Sequence, residues 1–213
     1  MLKGVEKWRS LVASELHAAG IPLPPEHILS LMYRESRGNP AAISIAGAMG
    51  LLQVMPVSLN WYNKHHRVRY SVDQFRNSPQ AQIKVGIWIL SQFMQSVFKY
   101  LKKRIGEVAL DDLVRITDLW YATGPGNAKP RLDRITPTWP NIASTYPDWD
   151  RVKPAELVWT RANDEGATWD LSSINDWLST NIINDKTKAA GGAAIALLVI
   201  AAAWLYLRKA SSE

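Results

Sequence analysis

The stretch of sequence that decides the fold is ESRGNPAAISIAGAMGLLQVMP, which runs from residue 35 to residue 56. Its three glycines and two prolines argue for a structured loop and against one long helix. Before it, apolar residues at Ile28, Leu31 and Met32 recur at helical spacing. Pro25 suits the first turn of that helix. Backbone N–H groups in the first turn have no partner within the helix, so the N–H that proline lacks is not missed there. The stretch therefore begins where a helix meets a long loop.

Glu35, at the end of this helix, is the candidate catalytic residue. Burial against apolar neighbours favours the protonated form of a carboxyl group, because desolvation penalises the charge. The protonated form is the one that can donate a proton to a glycosidic oxygen. A single glutamate at a helix end is more often a solvated charge or the partner of an arginine. The residues around it therefore have to decide its role.

The pattern around Glu35 resembles the signature of the soluble-type (SLT) lytic transglycosylases. The order Glu-Ser, Asn-Pro, Ser, Gly-Ala-x-Gly-Leu, Gln and Met-Pro is matched in spacing across residues 35–56. Residues 78–86 resemble the helix of that family that usually reads Asp-Pro, Asn-Ile and Gly. Residues 120–126 resemble its Ala-Tyr-Asn-x-Gly-Pro-Gly motif. One asparagine of each motif is replaced, by Gln82 in the first and by Ala122 in the second. The resemblance covers roughly residues 21–141.

This resemblance implies a fold and a reaction. The fold would be mainly α, a goose-type lysozyme-like helical domain. The enzyme would be a lyase that cleaves the β-1,4 bond between N-acetylmuramic acid (MurNAc) and N-acetylglucosamine (GlcNAc) in peptidoglycan. Glu35 would protonate the leaving oxygen and then accept the proton of the C6 hydroxyl, giving a 1,6-anhydro sugar without using water. One carboxyl group would thus replace the usual pair of a glycosidase, and no cofactor or metal is expected.

The resemblance also implies residues of the cleft around the acid. We expect Tyr121 to hydrogen-bond the acid, and Ser44 and Gln53 to bind hydroxyl and acetamido groups of the substrate. The positions that would line the cleft are Ser44, Gln53, Met55 and Tyr121. Four glycines are interpreted as backbone requirements, where a Cβ would clash with a turn or with the glycan: Gly47, Gly50, Gly124 and Gly126.

Composition narrows the possible partners. The chain has 213 residues and no cysteine, which excludes a disulfide framework, a thiol nucleophile and a thiolate metal site. Its net charge of +6 attracts anionic partners such as lipid or a polyanionic cell wall. Nucleic acid is not expected, because no nucleic-acid-binding motif is present. His65 and His66 could bind a metal, but no acidic residue stands at ligand spacing, so a solvated loop is the preferred interpretation.

The apolar stretch at residues 189–207 predicts a single transmembrane helix. It contains no charged residue, and at ~1.5 Å per residue it nearly spans a bilayer core of about 30 Å. Lysine and arginine flank both ends, so the orientation stays open, while Trp204 and Tyr206 suit an aromatic belt. The alternative is a buried, alanine-rich helix.

Together these patterns predict three parts. Residues 1–145 form the catalytic domain, in which the first helix ends at Gly20 and a long helix begins near Ser78–Pro79. Residues 146–184 form a Pro/Trp-rich linker and a short amphipathic helix, and residues 185–213 form the anchor with a basic tail. The composition of residues 136–169 favours an extended wrap or stalk.

The location follows from the same segments. Residues 1–20 lack the apolar core of a signal peptide. A glycan-cleaving domain with a C-terminal anchor favours a bacteriophage virion protein that opens the cell wall locally during genome delivery. It would lie in the virion membrane or be delivered to the host envelope. The alternative is an enzyme of a secretion or conjugation system in the bacterial inner membrane.

Two other functions remain open at this point. A goose-type lysozyme would hydrolyse the same bond with a second carboxylate that activates water, and Asp73 is the natural candidate. A non-catalytic protein would bind glycan and assemble with other proteins of a virion or secretion apparatus. The intact motif at Glu35 disfavours this second alternative, although a fold by itself never proves activity.

Overall fold

The structure is a computed structural model that describes residues 3–150 and 152–186. These residues form helices and no β-strand, as predicted. A 3₁₀ turn at Glu6–Trp8 precedes the first helix. The helices are α1 (Arg9–Ala19), α2 (Pro25–Ser36), α3 (Pro56–His65), α4 (Val72–Arg76), α5 (Pro79–Ile105), α6 (Leu110–Thr123), α7 (Pro125–Leu132), α8 (Trp139–Thr145), α9 (Val152–Asp164) and α10 (Leu171–Lys186).

Several helix ends fall where the sequence predicts them. Gly20 ends α1 in the left-handed conformation, with φ at 62°, and its N–H reaches the carbonyls of Leu16 and His17. Pro25 is the first residue of α2, and α5 begins at Pro79. The stretch between α2 and α3 is a loop that contains only isolated β-bridges.

The predicted extended stalk at residues 136–169 is wrong, because this segment contains α8 and α9. The buried residues of α9 are Val152, Ala155, Val158 and Ala162, which lie on one face of a helix. Two of them are alanines, which give a weak hydrophobic signal. Pro154 is compatible with this helix, because a proline in the first turn removes no hydrogen bond.

Contacts within the chain divide it into two compact units. The first comprises the described residues up to Ser91 together with Thr160–Asp170, and the second comprises those of Gln92–Trp159 and those from Leu171 onward. The division falls inside α5 and α9. The domain boundaries expected from the sequence, at residues 145 and 184, stay predictions.

The core of the first unit is built on α2. The predicted stripe of Ile28, Leu31 and Met32 is fully buried. Burying side chains of this size contributes about 1.5–3 kcal/mol each. At Gly86 on α5, an added Cβ would lie 2.4 Å from a side-chain carbon of Leu52, so helix and loop pack closely here. The loop and α5 add buried residues that include Met49, Leu51, Leu52, Val54, Ile83, Val85, Ile87 and Leu90.

The core of the second unit is built on α6, and a carboxylate ties this helix to α8. Asp112 is buried and accepts a hydrogen bond from the backbone N–H of Trp139 at 2.5 Å, which caps the N-terminus of α8. Burial raises the pKa of the Asp112 carboxyl group, and the neighbouring Asp111 raises it further. The hydrogen bond from Trp139 and the charge of Arg115 act in the opposite direction.

This raised pKa predicts a pH-dependent stability. The contribution of Asp112 is complete below its usual value of 3.8 and is lost as pH rises through the higher native value. Asp112→Asn keeps an acceptor for Trp139 but does not ionise, so we expect the variant to gain stability relative to the wild type between pH 3.5 and 7. Urea unfolding of both proteins across this range measures the difference in free energy of unfolding, and a constant difference would contradict the prediction.

The described residues contain no helix that is long and apolar enough to cross a membrane. The predicted transmembrane helix at residues 189–207 lies outside the described residues, so its prediction is neither supported nor contradicted.

Candidate active site

Glu35 stands in the last turn of α2 and is only partly exposed. Its side chain is 19% exposed. The helix ends one residue later, where Arg37 adopts a left-handed conformation, with φ at 57°, and donates its N–H to the carbonyl of Tyr33. The carboxyl group thus lies beside the point at which the chain turns into the loop.

Arg34 holds one oxygen of Glu35. Its Nε and Nη2 donate hydrogen bonds to Glu35 Oε1 at 3.0 and 2.5 Å, and its side chain is 13% exposed. Charge-assisted bonds of this kind are strong and fix orientation. Among the described residues of the first unit, no donor binds Oε2, so the two oxygens have different partners there. Sequence reasoning missed this partner, because neighbouring helical residues usually diverge and no spacing rule joins them.

Ser36 ties the end of α2 to the loop. Its hydroxyl donates to the carbonyl of Leu51 at 2.8 Å and accepts the N–H of Gly38 at 3.2 Å. Leu51 is fully buried. The residue next to the candidate acid is therefore bonded to the middle of the loop.

The backbone N–H of Leu51 is bound by Gln82, a residue that is completely buried. Gln82 Oε1 accepts the N–H of Leu51 at 2.9 Å. Gln82 Nε2 lies 2.9, 3.1 and 3.3 Å from the carbonyls of Arg76, Pro40 and Phe75. This one side chain joins the start and middle of the loop to the end of α4. The sequence marked it only as a replacement for the usual asparagine.

Gly50 packs directly against this amide. An added Cβ would lie 2.4 Å from Cδ and Oε1 of Gln82, and φ at Gly50 is 74°. Gly47 also has a positive φ, 82°, but a Cβ there would meet no atom within 4 Å. The first glycine is thus required by space and by backbone conformation, and the second by conformation alone.

The three predicted substrate-binding residues of the loop also take part in its structure. Ser44 Oγ accepts the N–H of Ala48 at 2.9 Å. Gln53 has a positive φ of 48°, and its Nε2 donates to the carbonyls of Gly50 at 3.0 Å and Ala42 at 3.3 Å. Met55 is partly exposed and precedes the first residue of α3. Their contacts with substrate stay predictions.

The remaining predicted residues belong to the second unit. Tyr121 lies on α6, and its ring makes an edge contact with Phe93 at a centroid distance of 6.2 Å. Gly124 separates α6 from α7 with a positive φ of 74°. Gly126 is the second residue of α7 and has a helical conformation. The hydrogen bond of Tyr121 to Glu35 stays a prediction.

Two alternatives from the sequence concern the first unit. Asp73, the candidate second carboxylate of a hydrolase, is exposed in α4, whose start is closed by a capping box of Ser71 and Gln74. His65 and His66 direct their Nδ1 atoms to the carbonyls of Trp61 and Tyr62. The described residues contain no group of three or more potential metal ligands.

Comparison with known proteins identifies the class of enzyme. The sequence from residue 17 to residue 128, which is more than half of the chain, matches a family of lytic transglycosylases, lyases that act on peptidoglycan. The chain belongs to this family, described as Transglycosylase SLT domain. No curated protein matches the chain. The resemblance inferred from the loop signature is therefore confirmed at the level of the family.

The contact between Gly50 and Gln82 gives a matched pair of variants. Gly50→Ala and Gly47→Ala each place a side chain at a positive φ, which costs about 1 kcal/mol. Gly50→Ala must also displace the buried amide, which leaves groups such as the N–H of Leu51 without a partner. We expect it to lower the free energy of unfolding by about 2 kcal/mol more than Gly47→Ala does. Chemical denaturation of the purified chain tests this, and equal losses would contradict it.

Proposed function

We propose that this lytic transglycosylase cleaves the MurNAc–GlcNAc β-1,4 bond of peptidoglycan with Glu35 as both acid and base. The observation that carries the proposal is the inequivalence of the two oxygens of Glu35. Arg34 binds Oε1, and within the part of the first unit that the structure describes no donor binds Oε2. One oxygen is therefore fixed by the protein while the other is left for the substrate.

The proposed reaction has two proton transfers. Glu35 first donates its proton to the glycosidic oxygen, so that the bond to C1 of MurNAc breaks and GlcNAc leaves with a hydroxyl group. The carboxylate then accepts the proton of the C6 hydroxyl of MurNAc, and O6 bonds to C1. The product is a 1,6-anhydro ring, no water is consumed, and Glu35 is reprotonated by the C6 hydroxyl while its first proton stays on the leaving GlcNAc.

Arg34 supports the second transfer. Once Glu35 has given up its proton, it carries a negative charge in a partly shielded site. The guanidinium group stabilises this charge through Oε1 and keeps Oε2 directed for the return of a proton. Arg34 is thus a positioning residue that acts through Glu35.

The loop bonds support an assignment of the atoms of Ser44 and Gln53 that would meet the sugar. Gln53 Nε2 is used by loop carbonyls, so its Oε1 is the atom suited to accept an acetamido N–H. Ser44 Oγ accepts the N–H of Ala48, so its own hydrogen is available to donate to a sugar oxygen. Met55, which is partly exposed, would supply an apolar contact.

The product distinguishes this reaction from hydrolysis. We expect mass spectrometry of muropeptides released from purified peptidoglycan to find anhydro ends with the wild type. Glu35→Gln cannot exchange a proton, and we expect about 10²–10⁴-fold less product. The matched control Asp73→Asn should retain full activity.

Other outcomes would contradict the proposal in different ways. Reducing ends from the wild type, lost in Asp73→Asn, would indicate a lysozyme. No product from a folded wild-type protein would indicate a glycan-binding or assembly role.

We further propose that residues 189–207 anchor the chain in a membrane and that the enzyme is a phage virion component that opens the wall locally. The support is the uncharged stretch between basic flanks, together with an activity that would kill a host if it were unconfined. The competing location is the inner membrane of a bacterium with a secretion or conjugation system. Mass spectrometry of purified phage particles would detect the chain if it is a virion component.

The anchor has a direct test in liposomes. Arginine near the centre of a membrane helix costs about 2.5–3.5 kcal/mol on insertion scales. Leu197→Arg combined with Leu198→Arg should therefore release the chain from liposomes in a flotation assay. The matched control, alanine at both positions, should remain bound. Flotation of the arginine variant, or no flotation of the wild type, would contradict the anchor.

A further inference from the structure

We propose that a second surface of the first unit, formed by Trp61, His65 and Trp88 with Lys64, Arg67 and Arg69, binds a peptidoglycan strand. This set is called the aromatic–basic surface below. It shares no residue with the predicted cleft. The proposal rests on the peptidoglycan-cleaving function and adds a site that holds the strand without acting on it.

The aromatic part of this surface is partly open to solvent. Trp61 on α3 and Trp88 on α5 are partly exposed, with ring centroids 4.7 Å apart, and His65 is exposed within 5.9 Å of both rings. Beneath them, Tyr62 is 1% exposed and meets Trp88 edge to face at 5.4 Å. Aromatic faces of this kind can cover the apolar C–H faces of sugar rings.

Hydrogen bonds hold the loop that carries Arg67 and Arg69. The side-chain amide of Asn63 accepts the N–H of Tyr70 at 2.9 Å and donates to its carbonyl at 2.8 Å, which closes the loop that follows α3. His66 stacks on Tyr62 at 3.8 Å and, like His65, donates from Nδ1 to a carbonyl of α3, because a carbonyl can only accept. A surface ordered before binding loses less entropy when a ligand arrives.

The charges on this surface have no carboxylate partner among the described residues. Lys64, Arg67 and Arg69 are exposed, and within the described parts of the chain no carboxylate lies at ion-pair distance from any of them. Lys84, one turn before Trp88 on α5, is also exposed. Glu15 is the acidic residue whose charge acts on Tyr62, beneath the exposed rings. It is buried and accepts a hydrogen bond from Gln80 at 2.7 Å.

This combination fits an anionic glycan better than a neutral one. A peptidoglycan strand is a chain of linked sugar rings, and peptide stems that carry carboxylates branch from its MurNAc residues. The rings of Trp61 and Trp88 suit the sugars, and Arg67 and Arg69 suit the carboxylates. An anionic lipid surface would satisfy the charges but has no sugar rings for the aromatic faces to cover.

The test measures binding in the absence of cleavage. The full chain carrying Glu35→Gln is sedimented with insoluble peptidoglycan sacculi, with and without Arg67→Glu and Arg69→Glu. We expect the charge-reversed chain to bind about tenfold more weakly, and raised salt to reduce the difference. Lys102→Glu with Lys103→Glu makes the same charge change at exposed positions of α5 and should leave binding unchanged. Trp61→Ala should also weaken binding without a change in the circular dichroism spectrum.

The outcomes separate this proposal from the catalytic one. With Glu35 intact, Arg67→Glu and Arg69→Glu should slow release from sacculi but not cleavage of a short soluble glycan. Equal binding of sacculi by both charge-reversed chains would overturn the proposal. So would a parallel vesicle assay in which Arg67→Glu and Arg69→Glu weaken binding to phosphatidylglycerol but leave binding to sacculi unchanged. If the wild type makes no anhydro product, the proposed reaction fails, while binding of the Glu35→Gln chain to sacculi still decides the surface.

Discussion

The buried amide of Gln82 is the constraint on which the candidate site depends. An amide without access to water must find its hydrogen bonds within the protein, because an unsatisfied buried donor or acceptor is strongly destabilising. Gln82 finds them on Leu51 and Pro40 of the loop and on Phe75 and Arg76 at the end of α4. The hydroxyl next to the candidate acid bonds the same Leu51. The position of the loop relative to Glu35 is therefore set through two buried residues, Leu51 and Gln82.

Much of the fold could be predicted from local sequence. The helical spacing of apolar residues predicts α1 and α2. Gly20 and Pro25 mark a helix end and a helix start, because glycine and proline restrict or free the backbone at their own positions. The loop was predictable for the same reason, since glycine and proline act on their own backbone. The helix α9 was missed, because its buried face includes two alanines and a proline stands in its first turn.

The site was predictable in its residues but not in its bonds. The loop signature identified the family and singled out Glu35, which no periodicity would have done. The partners of Gln82 lie up to 42 positions away in sequence, so no local pattern indicates them. Arg34 is the immediate neighbour of Glu35, yet its contact depends on the rotamers of two side chains at the end of a helix. Such contacts are consequences of tertiary packing, which one sequence without its structure does not display.

The hydrogen bonds made by the side chains of Gln53 and Gln82 have a consequence for how this protein can change over time. All of them join residues between Pro40 and Gln82. The segment therefore contains both partners of many of the hydrogen bonds that order its loop. A gene fragment that encodes this segment also encodes those bonds. The remainder of the chain is freer to diverge, acquire new attachments or be exchanged between relatives. Natural variation should accordingly be unevenly distributed, with the contiguous piece conserved as a block.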